Sequence, residues 1–129
     1  MTVELNHTIV PARDKHASAA FLAGILGLAV GPDVAHFVPV TLGNGITLDY
    51  DDADDPQAHH YAFLVSEDVF EAALAWVTSA GIGYHAEPNG DGSGQIYHST
   101  SGGRGFYFPD PDGHLMELLT RDISGREAS

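Results

Sequence analysis

Apolar positions along this chain switch between a period of two and a period near 3.6, and the switches mark its elements. Val3 to Val10 alternates as a strand, with Val3, Leu5, His7 and Ile9 on one face and Asn6, Thr8 and Val10 on the other. Pro11 is expected to end it. From Asp14 the pattern becomes helical, with Ala17, Ala20, Phe21, Ile25 and Leu28 recurring at three- and four-residue spacing and Gly27 near the end. After a turn at Gly31-Pro32, His36 to Leu42 reads as a strand, Gly43-Asn44-Gly45 as a hairpin turn and Ile46 to Tyr50 as the partner strand. Ile46, Leu48 and Tyr50 share the core face there, so Thr47 and Asp49 point the other way.

The same succession follows again. Asp51 to Gln57 is acidic, carries Pro56 and has no apolar periodicity, which reads as a solvated connection in preference to a calcium loop. His60 to Val65 is a strand, and a helix from about Glu67 carries the stripe Val69, Phe70, Ala73, Leu74 and Val77 before a cap at Gly81. Asn89 to Gly103 is rich in glycine and serine and reads as a flexible lid or a plain loop. Phe106-Tyr107-Phe108 suits a half-buried pleated surface, Pro109 stops it, and Asp110-Pro111-Asp112-Gly113 supplies a turn into the strand Leu115 to Leu119.

Two halves therefore repeat a strand opened by histidine, a helix, and a hairpin with a glycine turn. His7 and His60 occupy equivalent places, and Asp49 stands four residues after Gly45 as Glu117 stands four after Gly113. Glu117 is the residue that most needs an explanation. It lies between leucines on a strand apolar on both faces, so its carboxylate should be paired, hydrogen-bonded or bound to a metal. Two imidazoles and one carboxylate, His7, His60 and Glu117, are the donor set of a facial triad that leaves positions open on an octahedral metal.

Composition narrows the chemistry. The 129 residues, 43% hydrophobic, suit one domain without a linker, taken as residues 1–125 with modules over about 3–52 and 58–121 and a tail at 122–129. The absence of cysteine excludes disulfides, thiolate nucleophiles and cysteine metal sites, so any metal is held by nitrogen and oxygen. Eighteen acidic residues against five Lys plus Arg give a formal charge of −13, which repels phosphate backbones and anionic membranes. No nucleic-acid or membrane partner is expected. The amino-terminal residues lack a basic segment followed by an apolar one, and no apolar run approaches about 18 residues, so a soluble cytoplasmic protein is expected.

Leu5-Asn6-His7, His60-Tyr61-Ala62-Phe63 and the run from Phe106 to Glu117 together resemble the vicinal oxygen chelate superfamily. That family includes glyoxalase I, extradiol ring-cleaving dioxygenases, fosfomycin-inactivating thiol transferases and bleomycin-binding proteins. The resemblance covers roughly residues 4 to 121. It implies an α+β fold of two tandem βαβββ modules whose curved mixed sheets enclose a metal site. By the same resemblance His7, His60 and Glu117 are the metal ligands, while His59 points to the opposite face from His60.

What the resemblance implies about activity is a divalent-metal enzyme that chelates adjacent oxygens of a small substrate, extradiol-dioxygenase-like in the first instance. Fe2+ is then the expected metal, with Mn2+, Zn2+ or Ni2+ as alternatives. Asp49 stands where glyoxalase I has a fourth ligand, usually glutamate; if it ligates, a lyase or isomerase reading gains. The thiol transferases carry a threonine two residues beyond the first histidine, where this chain has Ile9. A metal-free antibiotic-binding protein is the remaining alternative. Tyr97, His98, Arg104 and Tyr107 are expected to line the pocket, and His114 to brace the turn. A homodimer is implied, its metal site shared across the interface with His7 from one chain and His60 and Glu117 from the other.

Overall fold

The computed structural model describes residues 1–129 and divides into two compact units, Met1–Gln57 and Ala58–Ser129. The first unit contains β1 (His7–Ala12), α1 (Lys15–Leu26), β2 (Val38–Thr41) and β3 (Thr47–Asp52). Its sheet has the order β1-β3-β2, with β1 parallel and β2 antiparallel to β3. β1 starts later than the alternation predicts and runs through Pro11 to Ala12. Val3 and Leu5 are exposed, so no burial draws residues 1–6 into the sheet. Pro11 is accommodated because β1 is an edge strand, where a missing N–H leaves no ladder bond unmade.

The α1 helix is entered through Asp14, whose carboxylate accepts the Ala17 N–H at 3.1 Å. It ends at Gly27 in the left-handed region, with the Leu28 N–H donating to the Ala23 carbonyl. Its buried face is Ser18, Ala19, Leu22, Ala23, Ile25 and Leu26, not the stripe through Ala17 and Ala20, which are exposed. The helix is apolar nearly all round. Small alanines therefore satisfy more than one helical phase, and the larger Leu22 and Leu26 decide which one faces the buried Val10, Val38, Val40, Leu48 and Tyr50 of this unit.

The second unit contains β4 (His60–Leu64), α2 (Glu67–Ser79), β5 (Tyr97–His98), β6 (Arg104–Pro109) and β7 (Leu115–Leu119), with sheet order β4-β7-β6-β5. Ser66 caps α2 through the Val69 N–H, and the helix buries Phe70, Ala73 and Val77 as its stripe predicts. Gly81, at φ 71°, closes it with paired bonds from Gly81 to Thr78 and from Ile82 to Val77. Phe70 meets Phe106 edge to face at 5.3 Å, over a core completed by Phe108, Met116 and Leu118.

Strand register makes the internal repeat concrete. In the first unit His7 opens β1 opposite Thr47, and two residues on Ile9 stands opposite Asp49. In the second unit His60 opens β4 opposite Leu115, and two residues on Ala62 stands opposite Glu117. Gly45 and Gly113, at φ 86° and 82°, turn the chain into the two acid-bearing strands. The units differ beside the acid: Asp49 is opposite Pro39, whereas Glu117 is opposite Tyr107. They differ also at the far edge. β5 is a formed strand, while the first unit has only a single bridge, Val30 to Val40, in the corresponding place.

Candidate active site

Period-two alternation on β7 sends Met116 and Leu118 into the core and Glu117 to the opposite face. Glu117 is nonetheless only 8% exposed, because three side chains close over it. His60 Nε2 lies 3.0 Å from Oε1. The Tyr97 hydroxyl donates to Oε2 at 2.6 Å. Tyr107 stands directly across the ladder from Glu117. An ionised carboxylate only accepts, so the proton in the first contact sits on Nε2 of His60. The expected compensation for burying Glu117 is thus made by hydrogen bonds on both of its oxygens.

Tyr97 reaches Glu117 because of a gap in the strand between them. It is paired with Gly105 on β6, and a Cβ built there would lie 2.3 Å from both the Tyr97 Cζ and its hydroxyl, and 2.6 Å from the Leu118 carbonyl. Glycine is what lets the ring cross the sheet at this point. The Tyr97 and Tyr107 ring centroids are 5.8 Å apart, and His60 and Tyr107 are 6.0 Å apart. Burial, followed by the hydrogen bond and charge of Glu117, pushes the Tyr97 phenol well above its usual range. Burial and then the Glu117 charge push Tyr107 upward as well. Both phenols are therefore protonated donors at neutral pH.

Other expected pocket residues fall elsewhere. Arg104 turns to the helix side of the sheet, where it bonds Glu67 at 2.7 Å, pairs with Glu71 and lies 4.3 Å above the Phe70 ring. Alternation explains this, since residues 104 and 107 are three apart and face opposite ways. His98, paired with Arg104, is exposed on that same side. Both belong to the outer face, a correction to their expected place around Glu117. His7 and Asp49 lie in the first unit; His7 is an exposed strand opener whose Nδ1 meets Asn6 Oδ1 at 2.8 Å, and Asp49 is half-buried on the non-core face of β3. His7 and His60 are the first residues of β1 and β4.

The turn before β7 is built as the sequence suggests. Asp110 Oδ1 accepts the N–H groups of Asp112 and His114, both at 2.9 Å, and the fully buried His114 ring accepts the His59 N–H at 3.0 Å. This ties the entries of β4 and β7 together and so holds His60 in register with Glu117. Tyr97 and Gly105 act together here, and the sequence reading singled out only the first. Its signal was a glycine interrupting an otherwise aromatic strand.

Within each unit no group of three His, Asp or Glu side chains converges as a metal cluster. The second unit does offer two donors of the right chemistry, an imidazole nitrogen and a carboxylate oxygen 3.0 Å apart. Two bonds of about 2.1 Å at a right angle span about 3.0 Å, so this pair fits neighbouring positions on one octahedral ion. His60 is the exposed partner, its side chain 48% accessible, which leaves the pair open on one side. A separate cleft of about 380 Å3, with His85, Glu87, Asn89 and Asp91 in its wall, is lined by none of His60, Tyr97, Tyr107 and Glu117.

The duplicated strand–helix–hairpin units have the form that the resemblance to vicinal oxygen chelate proteins implies. Residues 4–118 match the Glyoxalase/Bleomycin resistance protein/Dioxygenase superfamily, and the chain belongs to it. Among solved structures it is similar to the oxidase ChaP-H2, with 52% identity and a TM-score of 0.92 over 98% of this chain and 100% of that one. It is also similar to the oxidase ChaP-H1, with 42% identity and a TM-score of 0.91 over 96% and 100%. The glutathione transferase FosA of Serratia marcescens is 30% identical over the whole of this chain and 89% of the relative. No helix is long and apolar enough to cross a membrane.

Proposed function

We propose that this protein is a metal-dependent oxidase that binds a small substrate through two adjacent oxygens, with His7, His60 and Glu117 as the protein ligands of one divalent metal. The observation that carries the reading is the 3.0 Å pair of His60 Nε2 and Glu117 Oε1 on the open face of the second sheet. The two relatives named as oxidases, at 52% and 42% identity, support it. His7 enters because it opens β1 as His60 opens β4. In this reading His7 is supplied by a second copy of the chain in a homodimer.

When bound, such a metal supplies Lewis acidity toward the substrate oxygens and, as iron, chemistry with dioxygen. The chain's own residues set the conditions for that chemistry. Glu117 is held in place on both oxygens before any ligand arrives, so its orientation is not left to the substrate. Tyr107 stays protonated beside it, and in this reading its hydroxyl donates a hydrogen bond to a substrate oxygen. Asp49, the register counterpart of Glu117, contacts substrate in this reading.

Metal analysis of protein purified without chelator or added metal tests the reaction class. Iron near one equivalent per chain is the expected result. Manganese without iron would move the assignment to the thiol-transferase chemistry suggested by FosA. Nickel or zinc without iron would move it to a glyoxalase-type lyase or isomerase.

A further inference from the structure

We propose that Tyr97 is a positioning residue: crossing the sheet at Gly105, its hydroxyl engages Oε2 of Glu117 and makes that carboxylate a one-oxygen ligand, with Oε1 alone presented beside His60. The inference rests on the reading of Glu117 as a metal ligand. Three separate observations support it. The Tyr97 hydrogen bond is short, at 2.6 Å, and goes to the oxygen that His60 does not touch. Its path is built into the backbone, because any side chain at residue 105 would occupy the space of the Tyr97 Cζ and hydroxyl. The first unit, otherwise matched in register, lacks the arrangement: Asp49 faces Pro39, and a lone Val30–Val40 bridge stands where β5 would be.

A carboxylate with one oxygen engaged by a phenol is biased to grip a cation through its other oxygen. With both oxygens free it can grip a cation in bidentate fashion, a mode that suits larger ions. Tyr97 therefore acts on the choice of metal as well as on affinity. Its removal should favour a larger cation over a smaller one of equal charge. A role confined to packing would weaken both ions alike.

Competition titration of Zn2+ against the larger Cd2+ in the full-length protein tests this. The variants are Tyr97→Phe, which keeps the ring over Gly105 and deletes only the hydroxyl, and Gly105→Ala, which displaces the ring. Loss of an outer partner of a metal ligand costs about 10- to 100-fold in affinity. Tyr97→Phe should therefore weaken Zn2+ by about tenfold and spare Cd2+, moving the ratio of the two dissociation constants by about tenfold; Gly105→Ala should shift it in the same direction. Thermal melting confirms that each variant folds. A ratio in Tyr97→Phe within about threefold of the wild-type value overturns the proposal while leaving Glu117 as a ligand. If Glu117→Gln binds both ions as tightly as the wild type does, the metal reading fails and the proposal falls with it.

Discussion

Glu117→Gln is expected to abolish metal binding while leaving the fold in place. Glutamine keeps the volume of glutamate and its carbonyl still accepts a hydrogen bond from Tyr97, so the second sheet loses little. What disappears is the anionic oxygen 3.0 Å from His60 Nε2. Changes to outer partners alone cost about 10- to 100-fold in metal affinity, and removal of a ligand should exceed that range. His60→Ala and His7→Ala should behave alike. Circular dichroism would report intact strands, and calorimetric titration would report the missing heat. A Glu117→Gln protein with wild-type occupancy would remove the carboxylate from the ligand set. Asp49→Ala is the contrasting case: if it releases metal as completely, the site has four protein ligands and the oxidase assignment loses its main support.

Metal and stability should be linked. A ligand that binds only the folded state stabilises it by about 2.7 kcal/mol at a hundredfold excess over its dissociation constant. For a chain of this size, about 1 kcal/mol moves the melting temperature by roughly 3 to 5 °C, so saturation should raise it by about 10 °C. Chelator should reverse the gain. Ligating imidazoles must be unprotonated, so the metal-dependent part of the stability is present at neutral pH and is lost as pH falls through the range where free imidazole protonates, near 6.5. A melting temperature indifferent to chelator and to added divalent ions would favour a metal-free binding protein.

Much of the architecture was legible because it rests on local rules. The glycine turns at Gly45 and Gly113, the α2 stripe and the Asp110 turn all declared themselves in the residue pattern, and the structure places them as read. The repeat was legible for the same reason, and strand register makes Asp49 the counterpart of Glu117. Errors arose where a pattern allowed two answers. In α1, alanines on several faces hid the phase that Leu22 and Leu26 set. Arg104 and Tyr107 were placed together, although a period of two separates them, and Arg104 instead clamps β6 to Glu67 and Glu71 of α2. The contact of Tyr97 with Glu117 was out of reach for another reason. It depends on a two-residue strand inside a glycine-rich stretch, and only the absence of a side chain at Gly105 hints at it.

The central claim, a metal-dependent oxidase, is tested most directly by dioxygen uptake. The wild-type protein, stripped of metal and then reconstituted anaerobically with one equivalent of Fe2+, would be offered a panel of small catechols and vicinal hydroxy-ketones in an oxygen electrode. The account predicts substrate-dependent uptake with the iron-loaded wild type and none with the stripped protein or with iron-treated Glu117→Gln. Equal uptake by the stripped and the iron-loaded protein would contradict it.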